Sequence, residues 1–372
     1  MTSCLSGASL ARAPLAHGSS RMSRRLAARW LRLALDAAPC ARSSHGLSVI
    51  GGRAYVYGGE ASARHAIGSE VHTLDVEGSK WETIASPSAP PPRVGHAQCV
   101  LRDALMVFGG RTDVDMGEGN LNDLWAFEPS ESAWTQVETE GVAPSPRSFH
   151  RATAVGDKLY VFGGCGAEGR LADLHELDLS TRRWSALPTP PGLAGRGGAT
   201  FEASPDGRAL WVCGGFTGEE SNDLLQYELA SETWKRMPSE WLRPRSVCAS
   251  MSLSQPHGGV LMVFGGEVSP SDKGHEGAGG FASDLLAIDP ASGEPLHVTV
   301  DEGLAPEARG WGAAAALSPS EGIIFGGLTG SDEAPRRLDD AWVLTVDEDP
   351  PQGNVYTSTI DGMQAAYKRM QR

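Results

Sequence analysis

Cysteine is scarce in this chain, with six among 372 residues at positions 4, 40, 99, 165, 213 and 248, and none has the close pairing of a cysteine metal or redox motif. Four of them, Cys99, Cys165, Cys213 and Cys248, lie inside apolar runs or beside a Gly-Gly pair, which reads as small buried hydrophobes in a reducing compartment. Long apolar runs are missing too. No stretch approaches the roughly 18 residues that a membrane-crossing helix needs. Positive charge is in deficit: 32 Lys and Arg face 46 Asp and Glu, a formal net charge of −14, which argues against nucleic acid and anionic membranes as partners. There is no Gly-x-Ser-x-Gly elbow, phosphate-binding loop or dinucleotide fingerprint in a strand-to-helix setting, so the common hydrolase and nucleotide chemistries have no foothold.

What the chain has in quantity is glycine, and it is ordered. Gly-Gly closes a short apolar run at 58–59, 109–110, 163–164, 214–215, 265–266 and 326–327, with steps of 51, 54, 51, 51 and 61 residues. Each copy opens on an arginine (Arg42, Arg93, Arg147, Arg196, Arg245, Arg309). Four copies carry an Asp-Leu pair after the glycines (Asp123, Asp173, Asp223, Asp284), and four a later tryptophan (Trp81, Trp134, Trp184, Trp234). Within one copy four short β-rich runs can be read, for example Thr153 to Val155, Leu159 to Phe162, Leu174 to Asp178 and Trp184 to Leu187, separated by Gly, Asp and Pro turns. This ordered set of markers resembles the kelch repeat over about residues 30–346. The resemblance implies an all-β fold, a six-bladed kelch β-propeller in which each repeat is one four-stranded blade that must stack on its neighbours.

The spacing from tryptophan to the next arginine is 12, 13, 12 and 11 residues in the interior copies, and Trp30 stands 12 residues before Arg42. The last copy runs through Trp342 to about Val346 and has no outer strand of its own. We therefore expect residues 30–35 to supply that strand and close the ring. Residues 1–29 hold five arginines, several Ser and Ala and no acid, and read either as a disordered leader or as an organellar transit peptide. Residues 347–372 read as a solvated C-terminal tail. The expected location is cytoplasmic, or organellar on the transit-peptide reading.

Strand order places two sets of positions on one rim of the central channel. One set follows each Gly-Gly, the other stands two residues after each opening arginine. They bring together Glu60, Arg111, Phe149, Phe216 and Trp311, apolar walls with a few charges, as ligand pockets have; alternatively the aromatics plug the channel. The opening arginines recur in every copy and are expected to brace turns, and His45, His96 and His150 of Arg-x-x-His to be packed and hydrogen-bonded. These residues make the chain a soluble binding module, for an unidentified protein partner or a small molecule, with no nucleic acid and no membrane.

One loop breaks the pattern: between Gly266 and Asp284 the chain is long and Gly-rich, and carries Glu267, Asp272 and His275, oxygen and nitrogen donors suited to Fe(II) or Mn(II). That loop, with the segments 162–171, 195–198, 215–220 and 309–311, is similar to plant kelch proteins related to the specifier proteins of glucosinolate breakdown. The resemblance implies, as the alternative function, an Fe(II)-dependent protein directing a glucosinolate aglycone toward nitriles or related products. Iron would act as a Lewis acid on sulfur, and Arg111 would hold an anionic group such as a sulfate. The family's ligands are Glu, an Asp four residues on and a His four beyond. Glu267 and His275 match, but Ser271 stands where the Asp belongs and Asp272 comes one residue late.

Overall fold

The computed structural model describes residues 24–112, 119–256 and 258–348, with His275 by its backbone alone. Strand is its regular structure apart from one short 3-10 turn at Gly274–Glu276. The strands assemble into antiparallel four-stranded blades. The first comprises Gly46–Ile50, Arg53–Tyr57, Val71–Asp75 and Lys80–Ile84, and the second Ala97–Leu101, Ala104–Arg111, Asn120–Glu128 and Ala133–Gln136. The third is Arg151–Val155, Lys158–Gly166, Gly169–Asp178 and Arg183–Leu187, the fourth Thr200–Ala203, Ala209–Cys213, Leu224–Glu228 and Thr233–Met237. The fifth contains Ala249–Leu253, Val260–Phe264, Leu285–Ile288 and Pro295–Val300. The sixth contains Ala313–Ser318, Glu321–Gly330 and Pro335–Glu348, completed by Arg25–Arg32 from the start of the chain.

The innermost strand of each blade packs beside that of the next, and Ala313–Ser318 returns to Gly46–Ile50, so the described strands close a ring. The second strand of each blade lies between neighbours on both faces and is almost wholly buried, which is why it reads as a continuous apolar run. The blades are joined by ring-to-ring contacts. Trp134 packs on Tyr57, Trp184 on Phe108 and Trp234 on Phe162, each tryptophan meeting the strand before the Gly-Gly of the preceding blade. Trp81 meets Phe325 and Trp30 meets Phe264 in the same way, which places Trp30 in the sixth blade.

The closing strand differs from the expected 30–35. It runs over Arg25–Arg32, antiparallel to Pro335–Glu348, with Leu26 opposite Glu348 and Arg32 opposite Trp342. It also pairs in parallel with Pro295–Val300, so the fifth and sixth blades share one continuous sheet. The physical reason lies in the alternation Leu26, Ala28, Trp30. Leu26 and Ala28 are fully buried and turn the same face inward as Trp30. The boundary drawn after residue 29 therefore moves to before Arg25, and the last blade extends two residues past Val346 to Glu348. The rest of the leader, residues 1–23, and of the tail, residues 349–372, lie outside the described residues.

Each opening arginine meets the preceding blade through its backbone carbonyl, which accepts from the second glycine N–H of that blade's Gly-Gly, and braces its own blade through its side chain. Arg93, Arg147, Arg196, Arg245 and Arg309 are buried and bonded to the carboxylates of Asp123, Asp173, Asp223, Asp284 and Asp340. Each also donates to the carbonyl of the first glycine of its own Gly-Gly. The glycines are required there: Gly214 sits at φ +63°, and a Cβ would lie 2.3 Å from the Arg245 carbonyl. Arg42 is the exception, meeting Cys40 Sγ and His72 instead of an aspartate.

Candidate functional site

The floor of the site is made of backbone. Ser44, Gly95, Phe149, Gly198, Val247 and Trp311, each two residues after an opening arginine, form a closed ring of hydrogen bonds. The Gly95 N–H donates to Ser44, Phe149 to Gly95, Gly198 to Phe149, Val247 to Gly198, Trp311 to Val247, and Ser44 back to Trp311. All six have left-handed backbone, φ between +49° and +61°. Glycine takes that conformation freely. An L residue does not, and a β-branched valine least of all. Bulky side chains at Phe149, Val247 and Trp311 thus stand where the geometry favours glycine.

Those three side chains rise into a cavity of about 150 Å³ on the Gly-Gly rim, whose walls include Phe216, Leu328, Cys165 and Arg170. The residue following each opening arginine bridges to the residue following each Gly-Gly, which brings Glu60, Arg111, Phe216 and Glu267 to the same rim. Of the residues singled out from sequence, Glu60, Phe149, Phe216, Trp311 and Glu267 line this cavity, and Arg111, expected among them, does not, because the Phe149 ring stands in front of it. Phe149 meets Trp311 edge to face at 5.4 Å between ring centroids. The Arg170 guanidinium covers the Phe216 ring at 4.5 Å. Glu60 is ion-paired with Arg337 at 3.3 Å and accepts from Ser43 and Ser44, which fixes it as part of the wall.

Arg111 lies behind Phe149, its guanidinium 5.2 Å from the ring centroid and the residue only 1% exposed. None of its three guanidinium nitrogens has a hydrogen-bond partner among the described residues. Burial pulls its pKa down, partly offset by the Glu60 charge. A buried cation without hydrogen bonds is costly.

The opposite wall holds Glu267. Burial pushes its carboxyl up to about 7, with the Ser271 backbone N–H opposing and the Asp332 charge adding. Glu220, which accepts from Ser246 Oγ at 3.3 Å, is also raised to about 7 by burial, and the Glu267 charge contributes. Asp272 does not line the cavity. It is exposed, and its backbone N–H donates to Asp332 Oδ2 at 3.1 Å. Of His275 only the backbone, in the turn Gly274–Glu276, is described, so its place in the donor set lies outside the described side chains. Among the described residues no three His, Cys, Asp or Glu side chains gather as a metal cluster.

The histidines of Arg-x-x-His are packed as expected, but the expected hydrogen bonding holds for His150 alone, since no ring nitrogen of His45 or His96 has a hydrogen-bond partner among the described residues. His150 is buried, bonded to the Phe108 carbonyl at 3.1 Å, and burial holds its pKa well below the usual value. The cysteines split: Cys213 and Cys248 are buried, Cys99 and Cys165 half-buried and Cys40 exposed, all five as free thiols. Sequence reasoning missed Arg170, Glu220 and Asp332. Arg170 stands at the start of the strand Gly169–Asp178, and Glu220 and Asp332 lie in inter-strand loops; these stretches differ in length between repeats, so repeat position gave no signal for them.

Blades pinned by arginine and Gly-Gly around a closed ring define a kelch β-propeller. Residues 44–266 match the KLHDC2/KLHL20/DRC7 Kelch-repeats domain, and the chain belongs to this kelch-repeat family. It is 26% identical over 341 residues to the N-(sulfonatooxy)prop-2-enimidothioate sulfolyase of Thlaspi arvense, covering 82% of this chain and 94% of that protein. It is 38% identical over 141 residues to the flagellar outer-arm dynein alpha chain of Chlamydomonas reinhardtii, covering 36% of this chain but 3% of the dynein. Among solved structures, that of YjhT has a TM-score of 0.64 at 19% identity and covers 84% of this chain and 99% of its own, a likeness of fold.

Proposed function

We propose that this propeller is a recognition module whose Gly-Gly rim binds a ligand combining an anionic group with an apolar or aromatic body, borne by a protein segment or a small molecule. The observation that carries this is conformational. Phe149, Val247 and Trp311 hold left-handed backbone at a cost of about 1–3 kcal/mol each, and all three project into one cavity. Strain that recurs around a single concavity supports a role in binding better than in folding, since Gly95 and Gly198 fill the same ring positions without it. Arg111 accounts for the anionic half of the ligand.

Peptides selected from a random displayed library on the immobilised protein test the proposal. They are expected to combine acidic and aromatic residues and to bind Arg111→Met about tenfold or more weakly, as loss of a charge-assisted contact implies. Peptides that bind wild type and an Arg111→Met/Phe216→Ala double variant equally would sink it.

A second reading is a specifier-type activity, favoured by the near full-length match to the Thlaspi sulfolyase and by Glu267 opening on the cavity. On this reading Glu267, Asp272 and His275 would hold Fe(II). The described side chains bring only Glu267 of that set to the cavity, so no step through the metal is derived. Anaerobic titration with Fe(II) is expected to give tight 1:1 binding that disappears in both Glu267→Gln and His275→Ala. Wild-type protein giving no specific heat would remove this reading.

A further inference from the structure

The segment that breaks the repeat is tied down at a place remote from its own blade. Its base is a short ladder in which Glu267 pairs with Phe281 and Ser269 with Gly280. Beyond that ladder it passes over the rim, where Pro270, Ser271, Gly274 and Gly277 contribute to the cavity wall. Its tip is fastened to Asp332, which stands in the tight turn of the sixth blade between Gly330 and Pro335. Asp332 Oδ1 accepts from the Ser271 hydroxyl, and Oδ2 from the Asp272 N–H at 3.1 Å. Lys273 Nζ donates to the Asp332 carbonyl at 2.7 Å. One residue of the sixth blade thus gathers three groups of the fifth-blade loop.

We propose that residues 270–278 are a lid over the rim cavity and that Asp332 is its latch, so that ligand enters and leaves when the Asp332 contacts open. The chain is built for such a motion. Gly274 has φ +58°, and Gly277, Gly279 and Gly280 follow within six residues, giving the segment hinge freedom between two fixed ends. The contacts at Asp332 are on the solvent side, and Asp272 and Lys273 are exposed, so the latch opens without disturbing the apolar core. Ser271 serves both roles: its hydroxyl holds Asp332 and the residue lines the cavity. Asp332 does not itself line the cavity and is therefore a positioning residue, acting through Ser271.

The inference rests on the cavity being the ligand site, and the experiment separates the two. The probe is 1-anilinonaphthalene-8-sulfonate, an aromatic anion, mixed by stopped flow with the full chain and with Asp332→Ala, Ser271→Ala and Arg111→Met. Weakened probe binding in Arg111→Met places the probe at the cavity. The latch then predicts association and dissociation rates in Asp332→Ala that are both about tenfold higher, with Ser271→Ala intermediate. Rates equal to wild type in both latch variants would overturn the lid and leave the site intact. If Arg111→Met binds the probe as wild type does, the cavity reading falls, and hydrogen exchange decides the latch. Loss of protection at the Asp272 amide in Asp332→Ala supports it, and unchanged protection there overturns it.

Discussion

A chain beginning at Ala37 is expected to lose the single cooperative melting transition of the full-length protein, or to melt at least 15 °C lower, as read by circular dichroism near 218 nm and by calorimetry (roughly the scale expected when several kcal/mol are removed). The closing strand is held on both edges, by Pro335–Glu348 and by Pro295–Val300. It buries Leu26 and Ala28 completely, seats Trp30 5.1 Å from Phe264, and fixes Arg24 to Glu348 at 2.9 Å. Burial of Leu26 and Trp30 alone stabilises by about 2–3 kcal/mol each, and removing the strand also exposes Leu344, Val346 and Ile324 of the same cluster. The total is comparable with the about 5–15 kcal/mol by which a domain is stable. Trp30→Ala should give a smaller drop of about 3–5 kcal/mol by urea unfolding. A truncated chain that melts like the full one would mean that the ring does not depend on this strand.

Arg309→Met is expected to cost about 3–5 kcal/mol at pH 7, because it leaves the Asp340 carboxylate buried without its partner. The wild-type pair is the most enclosed of the five: side-chain exposures are 1% and 9%, and both guanidinium arms meet the carboxylate, at 2.6 and 2.9 Å. Burial alone would raise the Asp340 pKa, but the Arg309 hydrogen bonds and charge, with the Trp342 N–H, outweigh it and hold it below the usual value. A depressed carboxylate contributes stability above its unfolded pKa, about 3.9, and loses that contribution as pH falls through the lower folded value. In the variant burial alone raises the Asp340 pKa above its unfolded value. The gap between wild type and Arg309→Met should therefore be full at pH 7, start to close above about pH 4 as the variant's Asp340 takes a proton, and go on closing as the wild-type pair is protonated at lower pH. Urea midpoints across that range check this. A gap that does not shrink in acid would assign the loss to packing rather than charge. Arg309→Lys should fall between, since a single ammonium cannot reproduce the two-armed contact.

The parts of this molecule that repeat could be read from sequence, because repetition is itself a signal. The six Gly-Gly pairs mark the point where each blade meets the carbonyl of the next blade's arginine, a contact that leaves no room for Cβ. Trp30 could be assigned to the last blade because its distance to Arg42 matches the others. The start of that strand could not, since Arg24, Arg25 and Arg29 make the segment look like a solvated leader. Two of these in fact lie against acids of the partner strand, Arg24 on Glu348 and Arg29 on Asp347. The rim positions followed from strand order, which brings Glu60, Phe149, Phe216 and Trp311 to one cavity. Whether Arg111 had a partner was beyond sequence, as that depends on what does not approach it in space. The hold of Asp332 on Ser271 joins residues 61 apart on different blades, and no spacing rule connects them.

The ring of six backbone hydrogen bonds beneath the cavity has an electrical consequence. Its N–H and C=O groups run tangentially around the axis, each pointing to its neighbour. Their dipoles cancel around the circle, leaving no field along the axis of the kind a helix terminus would direct at a ligand. Charge preference at this site is thus set by the side chains planted on and around the ring. A Cβ at Gly95 or Gly198 would lie 2.9 Å from the Phe149 ring or 2.5 Å from Val247 Cγ1, so the small members of the circle make room for the large ones, and the specificity of the rim is written by Phe149, Val247 and Trp311 while the circle beneath them stays as it is.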